Sequence, residues 1–176
     1  MMGSPSRRKA TQVPNAWTPE ARAAHLACAL DTDGWISLRH TRHSGDGHSR
    51  LTCNVGITNQ SREFLAFLAE SAGVPPNLGL NGKPGRDSRG IITRREVWQS
   101  YWRSPLHVVV ILELALPYLI GKKDKALWVL EFARSRITSN GKVNRSGKPY
   151  TSRDWELQAL VTAANGNKSF SGDTAA

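Results

Sequence analysis

The sequence has few cysteines, few acidic residues and no long hydrophobic run. Only Cys28 and Cys53 occur among 176 residues, which excludes a disulfide scaffold and a zinc ribbon, and we expect both to be buried free thiols in a reducing compartment. No apolar run reaches the roughly 18 residues of a membrane span. Residues 1–12 lack the apolar segment of a signal peptide. We therefore predict an intracellular protein, in a prokaryotic cytoplasm or an organelle, with no membrane partner.

Acidic residues are outnumbered by basic ones. Lysine and arginine total 24 against 14 aspartates and glutamates, which gives a formal net charge of +10. A surplus of this size predicts a polyanionic partner, either nucleic acid or an anionic membrane surface. Because hydrophobic residues still make up 39% of the chain, we expect a folded domain rather than a disordered chain.

Helix and strand signals alternate along the chain. Thr18, Pro19 and Glu20 are typical of a helix start, and this first helix ends at Gly34. Two alternating runs around a glycine-rich turn at 45–47 predict a β-hairpin, and a helix over 61–72 and a second hairpin over 77–102 follow. Helices over 104–120, 122–137 and 154–164 complete the order. This α-ββ-α-ββ-α-α-α order predicts an α+β fold with helices packed on one face of an antiparallel sheet.

Composition divides the chain into three parts. Residues 1–16 form a basic arm that we expect to be flexible, residues 17–138 form the core, and residues 139–176 form a basic linker, a short helix and a loose tail. Residues 134–153 contain six lysines and arginines and no acidic residue before Arg153. This basic segment favours a phosphate-binding extension, and a merely solubilising tail is the alternative.

Residues 26–34, which read LACALDTDG, form a helix of small and apolar residues that ends in two carboxylates and a glycine. Asp31 and Asp33 lie against the negative end of the helix dipole and need a compensating cation, for which a divalent metal ion is suitable. The alternative is a helix cap and a turn, a common use of aspartate and glycine. An EF-hand is excluded, because Trp35 and Ile36 occupy the positions of its next ligand and its glycine.

The stretch LACALDTDG resembles the signature of the LAGLIDADG homing endonucleases. The residues identical to that signature are Leu26, Ala27, Asp31, Asp33 and Gly34. Cys28 replaces a glycine in the helix-packing seam. The predicted order of helices and hairpins is similar to that of the family, and residues 116–126 (LPYLIGKKDKA) resemble its junction of proline, aromatic residue, leucine, lysine and alanine. The resemblance spans residues 18–136.

The resemblance implies an αββαββα fold whose sheet forms a DNA-binding saddle with the helices behind it. It also implies a site-specific endonuclease that hydrolyses double-stranded DNA at a long pseudo-palindromic target, as in intron homing. The implied cofactor is Mg²⁺, with Mn²⁺ as a substitute, Ca²⁺ binding without supporting cleavage, and no organic cofactor. Asp33 and the Thr32 carbonyl would bind the metal, and Asp31 would serve the helix end. Lys122 would stabilise charge at the scissile phosphate or polarise the attacking water.

The sequence contains a single copy of the motif, so the resemblance implies a homodimer with one site per DNA strand. The two motif helices would pack around a two-fold axis, and both Asp33 side chains would meet at its centre. The residues expected at this interface are Ala24, Ala27, Cys28 and Asp31.

DNA recognition would come from the polar face of the sheet. Arginine suits the edge of guanine and asparagine that of adenine in the major groove. The contacts expected on the first hairpin are Ser37, Arg39, Thr41, His43, Arg50, Thr52 and Asn54. The contacts expected elsewhere are Arg89, Arg95, Gln99, Tyr101, Lys123, Lys142 and Arg145. For any single one of these residues, an ordinary solvated side chain is the alternative.

A second position, after Cys28, departs from the family pattern. Ile57 stands where the family often has a glutamine or a similar residue that positions water, and Thr58 or Asn59 would substitute for it. Two other classes of function therefore stay open. One is a non-cleaving nucleic-acid binder on the same scaffold, such as an intron RNA maturase or a transcriptional regulator. The other is a basic RNA- or ribosome-associated protein with a chance motif match.

Overall fold

A computed structural model of the protein describes residues 17–42, 49–86, 92–93, 95–138, 140–143 and 149–166. The predicted basic arm and the predicted DNA contacts His43, Arg89 and Arg145 lie outside the described residues. The helices are α1 (Pro19–Thr32), α2 (Arg62–Ala72), α3 (Pro105–Ala115), α4 (Lys123–Ser135) and α5 (Ser152–Ala164), with a 3-10 turn at Leu116–Tyr118. The strands are β1 (Gly34–Arg42), β2 (Ser49–Asn59), β3 (Asn77–Gly82), β4 (Gly85–Arg86), β5 (Ile92–Thr93) and β6 (Val97–Trp102).

Local capping signals set the helix boundaries. The Thr18 hydroxyl accepts a hydrogen bond from the Ala21 amide at 3.2 Å, and the Ser61 hydroxyl accepts one from the Phe64 amide at 3.1 Å. Each side chain satisfies an amide that has no partner within its own helix. These contacts confirm the helix starts that the sequence predicts.

The four main strands form one antiparallel sheet in the order β1-β2-β6-β3. β1 pairs with β2 from Gly34 opposite Ile57 to Arg42 opposite Ser49. The second hairpin differs from the expected single strand over 91–102. The strand that pairs in the sheet begins only at Val97, and β4 and β5 form a separate pair. Arg95 and Glu96 are exposed just before Val97, where both charges keep their contact with water.

The helices pack on the sheet face that carries the apolar residues, which confirms the predicted α+β class. Ile36 and Leu38 of β1 and Val55 and Ile57 of β2 are all buried in one core. Cys53 is buried there too, and this burial raises the pKa of its thiol to about 12. The expectation that both thiols are buried is wrong for Cys28, which is exposed on α1. Within the described ranges, no helix is long and apolar enough to cross a membrane.

The C-terminal helix α5 belongs to the core, which corrects the expected core boundary at residue 138. Leu157 and Val161 are buried with the other helices. The Arg136 guanidinium contacts the Asp154 carboxylate at 2.6 Å, and both side chains are buried. The same guanidinium lies 4.3 Å from the centroid of the Tyr150 ring. These contacts, between residues far apart in sequence, hold α5 against the end of α4.

We expect Asp154→Ala to lower the free energy of unfolding by about 3–5 kcal/mol, because it removes the carboxylate that the buried Arg136 guanidinium contacts. Urea denaturation measures this loss. Glu156→Gln is the matched control, because Glu156 pairs with Arg153 at 3.2 Å on the surface, where a pair contributes about 0–1 kcal/mol. Equal losses in the two variants would show that the buried pair does not hold α5.

Candidate active site

Asp33 lies at the junction between α1 and β1. Its amide donates to the Ala29 carbonyl at 3.0 Å, which closes α1. Its carbonyl accepts hydrogen bonds from the amide and the hydroxyl of Thr58, both at 3.2 Å. The Asp33 backbone is therefore fixed between α1 and β2, while the residue stays exposed. It lines a shallow cavity of about 390 Å³ together with Thr58, Asn59, Gln60 and Val97.

Gly34 allows the junction after Asp33 to be tight. A Cβ atom at Gly34 would lie 2.6 Å from the Leu30 Cα atom and 2.7 Å from the Leu30 carbonyl oxygen. Any side chain at this position would therefore push β1 away from α1. The glycine of the motif thus has a steric role that is separate from the role of the carboxylates.

Asp31 and Lys122 tie the end of α1 to the start of α4. The Asp31 carboxylate accepts hydrogen bonds at 2.8, 3.3 and 2.9 Å from the amides of Ile120, Gly121 and Lys122. The Lys122 ammonium donates in return, at 2.6, 2.9 and 2.7 Å, to the carbonyls of Leu30, Asp31 and Gly34. A carboxylate at the positive end of α4 and an ammonium at the negative end of α1 are both favourable. A lysine thus supplies the positive charge beside Asp31.

The Lys122 ammonium is fully engaged, because its three protons have three carbonyl acceptors. Burial lowers the pKa of Lys122, Lys125 adds to this shift, and the carboxylates of Asp31 and Asp33 oppose it. The expected role of Lys122 at the scissile phosphate stays a prediction. The observed contacts are with the backbone on both sides of Asp33, so Lys122 orients the carboxylate-bearing turn.

Asp33 is the residue that could hold a metal ion. Its carboxylate takes part in none of the hydrogen bonds and ion pairs found among the described residues, and the Asp31 carboxylate already serves three amides. Across the described ranges, no group of three His, Cys, Asp or Glu side chains comes together. Mg²⁺ needs only one or two carboxylates when water and phosphate oxygens complete its octahedron. Asp33 therefore fits a Mg²⁺ ion that is also bound by a phosphate group, and the Thr32 carbonyl stays a predicted ligand.

The residues around Ile57 decide which side chain could position water. Ile57 is fully buried and has no polar group. The Thr58 hydroxyl is used by the Asp33 carbonyl. Asn59 lines the cavity beside Asp33, and only its Oδ1 atom is engaged, by the Ser61 amide at 2.9 Å. The geometry therefore favours Asn59 over Thr58.

The predicted DNA contacts on β1, β2 and β6 lie on the open face of the sheet, the face away from the helices, whereas Arg95, Lys123 and Lys142 lie outside its strands. The exposed ones are Arg39, Thr41, Arg50, Arg95, Lys123 and Lys142, and the partly exposed ones are Thr52, Gln99 and Tyr101. The prediction fails for Ser37 and Asn54, which are 7% and 6% exposed. These two are paired across β1 and β2, and the Ser37 hydroxyl donates to the Asn54 carbonyl at 3.4 Å. The alternation of residues along each strand predicted correctly that Ser37 and Asn54 lie on the open face. It could not predict that neighbouring side chains cover them there.

The predicted dimer residues do not share one face of α1. Cys28 is exposed and Ala24 and Asp31 are partly exposed, but Ala27 is fully buried against the core. Ala27 cannot contact a partner chain, so its assignment to the interface is wrong. The outward side of α1 carries Ala21, Ala24, Cys28 and Thr32 instead, at the spacing of three and four residues that lines one side of a helix.

Three arginines of the basic segment 134–153 pair with carboxylates from other parts of the chain. Arg134 contacts Glu113 at 2.7 Å, Arg153 contacts Glu131 at 2.8 Å, and Arg136 is buried against Asp154. Burial excludes Arg136 from phosphate binding, and a phosphate-binding role stays a prediction for Arg134 and Arg153, because both pair at the exposed surface. The sequence indicated a segment poor in acids, but their partners come from α3, α4 and α5.

The sequence-based prediction did not include two residues of the open face. Trp35 directly follows the motif glycine, and Gly56 lies opposite it on β2. A Cβ atom on Gly56 would lie 2.3 Å from the Trp35 indole, so the six-membered ring of the indole rests on that glycine. Trp35 is absent from the predicted DNA contacts, although its position in the strand alternation puts it on the open face.

The chain shares its fold with solved structures of homing endonucleases. The chain matches I-CvuI, crystallised with its target in the presence of 2 mM Ca, at a TM-score of 0.61 and 16% identity over 86% of each chain. It matches I-SmaMI bound to uncleaveable DNA at a TM-score of 0.53 and 15% identity, over 83% of this chain and 45% of that chain. It therefore has the fold of the LAGLIDADG homing endonucleases. No protein-family model and no curated protein matches the sequence.

Proposed function

We propose that this chain is a LAGLIDADG homing endonuclease that cuts double-stranded DNA at a specific pseudo-palindromic target. The observation that carries the proposal is Asp33, an exposed residue whose backbone is fixed at the end of the motif helix, beside a basic open sheet face. The net charge of +10 is suited to a phosphate backbone. Solved neighbours of this fold were crystallised with DNA, which supports duplex DNA as the substrate.

The proposed cofactor is Mg²⁺, with Mn²⁺ as a substitute and Ca²⁺ as an ion that binds without supporting cleavage. The I-CvuI crystals contained Ca or Mg, which supports the use of a divalent ion. When bound, the ion neutralises charge on the phosphate and makes a nearby water more acidic. Asp33 and the Thr32 carbonyl would hold the ion. The Asn59 amide group would orient the attacking water in the cavity that it shares with Asp33.

We assign Lys122 to a positioning role that supports Asp33. The ammonium fixes three carbonyls of the α1–β1 junction, and Asp31 fixes the amides at the start of α4. A carboxylate placed to within a fraction of an ångström is what metal-assisted cleavage requires. The charge-stabilising role at the phosphate, which the resemblance implies, would need the ammonium to leave these acceptors.

The enzyme would act as a homodimer, because one chain carries one copy of the motif and duplex cleavage needs a site for each strand. The small residues on the outward side of α1 would allow a second α1 helix to approach closely. Neighbours such as I-SmaMI are more than twice as long as the part that this chain matches. This supports the view that the present chain is one half of a two-part assembly.

Cys28→Glu is expected to shift a dimer to monomers and to weaken duplex binding at least tenfold, because two like charges would meet at the two-fold axis. Sedimentation velocity with and without duplex DNA measures both effects. Ala163→Glu is the control, since it adds the same charge to an exposed position on α5. If one chain of the parent protein binds one DNA duplex, the proposal of a homodimer is refuted.

A non-cleaving nucleic-acid binder is the second candidate function. The observations that favour it are the buried Ile57 and the engaged ammonium of Lys122. Such a binder would keep the open face and the dimer but would leave its target intact in Mg²⁺.

Selection of cleaved sites from a randomised duplex library in Mg²⁺ tests the proposed function. We expect the cleaved duplexes to share a pseudo-palindromic site. Enrichment of bound but uncut duplexes would favour the second candidate. Binding of structured RNA with no preference among duplexes would contradict both.

A further inference from the structure

An aromatic row crosses the open face of the sheet next to Asp33. Trp35 lies two residues after Asp33, the strand register puts it opposite Gly56, and Gly56 lies opposite Tyr101. Residues in register on adjacent strands present their side chains on the same face. Trp35, Gly56 and Tyr101 therefore form one row, adjacent to the row that holds Asp33 and Thr58.

The row is a fixed platform. A Cβ atom on Gly56 would lie 2.3–2.8 Å from three atoms of the Trp35 indole, so only glycine allows the ring to rest on β2. The Arg103 guanidinium lies 4.6 Å from the centroid of the Tyr101 ring, a stacking distance for a cation on an aromatic face. Both Trp35 and Tyr101 remain partly exposed, so each residue keeps some surface that a ligand can reach.

The platform offers apolar surface where polar base readers were expected. Ser37 and Asn54, in the next open-face row, are buried. The Trp35 Nε1 atom is also buried, with no hydrogen-bond partner among the described residues, so the indole cannot donate to the edge of a base. An apolar surface in the major groove distinguishes bases through the 5-methyl group of a pyrimidine.

We propose that Trp35 and Tyr101 are specificity determinants that select a pyrimidine with a 5-methyl group, thymine or 5-methylcytosine, at one base pair in each half-site. This inference rests on the proposed function, in which the duplex lies on the open face. This base pair would lie over the aromatic row. It would be closer to Asp33 than the base pairs that Arg39 and Thr52 are expected to contact.

The test uses the site that the parent protein selects from a randomised duplex library, with affinity measured by fluorescence anisotropy in Ca²⁺. Each thymine is replaced in turn by deoxyuridine, which removes only the methyl group. We expect one position per half-site at which this change weakens binding about fourfold, the effect of losing one buried methyl group. At that position, 5-methylcytosine in place of cytosine should strengthen binding by a similar factor.

The Trp35→Ala variant should lose this sensitivity to the methyl group, and Tyr101→Leu provides a second variant if Trp35→Ala does not fold. Arg39→Ala is the control, because it should weaken binding but keep the effect of the methyl group. If the parent binds its site and no deoxyuridine changes the affinity, the inference is overturned and the proposed function stands. Sensitivity that persists in both aromatic variants also overturns it. A parent that selects no duplex at all refutes the proposed function instead.

Discussion

Asp33→Asn is expected to abolish DNA cleavage in Mg²⁺ while duplex binding is retained. The asparagine side chain has nearly the same size as that of aspartate, and the backbone of residue 33 keeps its hydrogen bonds to Ala29 and Thr58. The substitution removes the negative charge that would hold the cation. A divalent ion contributes several kcal/mol to stabilising a phosphoryl transition state, so the cleavage rate should fall by about a thousandfold or more. Single-turnover cleavage of the selected site measures the rate.

The binding measurement decides how this loss is interpreted. Affinity for the duplex should stay equal or increase, because one negative charge near the phosphates is removed. Glu63→Gln is the control for charge, since Glu63 is an exposed carboxylate in the first turn of α2 and should leave the rate unchanged. Cleavage by Asp33→Asn at the parent rate would refute the assignment of Asp33.

Lys122→Met should reduce both stability and cleavage. The thioether side chain keeps much of the volume but donates no hydrogen bond, so the carbonyls of Leu30, Asp31 and Gly34 lose their donor. We expect the free energy of unfolding to fall by about 1–3 kcal/mol, as measured by urea denaturation. We expect cleavage at low Mg²⁺ concentration to fall at least a hundredfold, because Asp33 is no longer held in place.

The dependence on Mg²⁺ concentration separates a positioning role from a catalytic one. If Lys122 orients Asp33, a high Mg²⁺ concentration should restore much of the activity, since the displaced carboxylate can still bind the ion. If Lys122 acts on the phosphate itself, cleavage should stay low at every Mg²⁺ concentration, and the positioning role would be refuted. Lys123→Met is the matched control, because the neighbouring ammonium is exposed and its loss should leave stability unchanged.

The motif residues had separable physical roles that their spacing alone did not reveal. The sequence indicated that Asp31 and Asp33 share a need for a compensating cation. In the fold, Lys122 is the cation beside Asp31, and the Asp33 carboxylate remains available for a metal ion. The partners of the Lys122 ammonium lie 88 to 92 residues away along the chain. No local pattern indicates such a contact, because it depends on how α1 and α4 meet.

The amino-acid sequence by itself determined the helix starts, the first hairpin, the α+β class and the position of Asp33 at a helix end. These features depend on caps, on glycine and on the periods of helix and strand, which are interactions between near neighbours in the chain. Only the tertiary structure decided that Ala27, Ser37 and Asn54 are buried, that α5 joins the core and that Trp35 rests on Gly56. Burial and contact depend on what other segments place beside a residue, so a position on the correct face can still be covered.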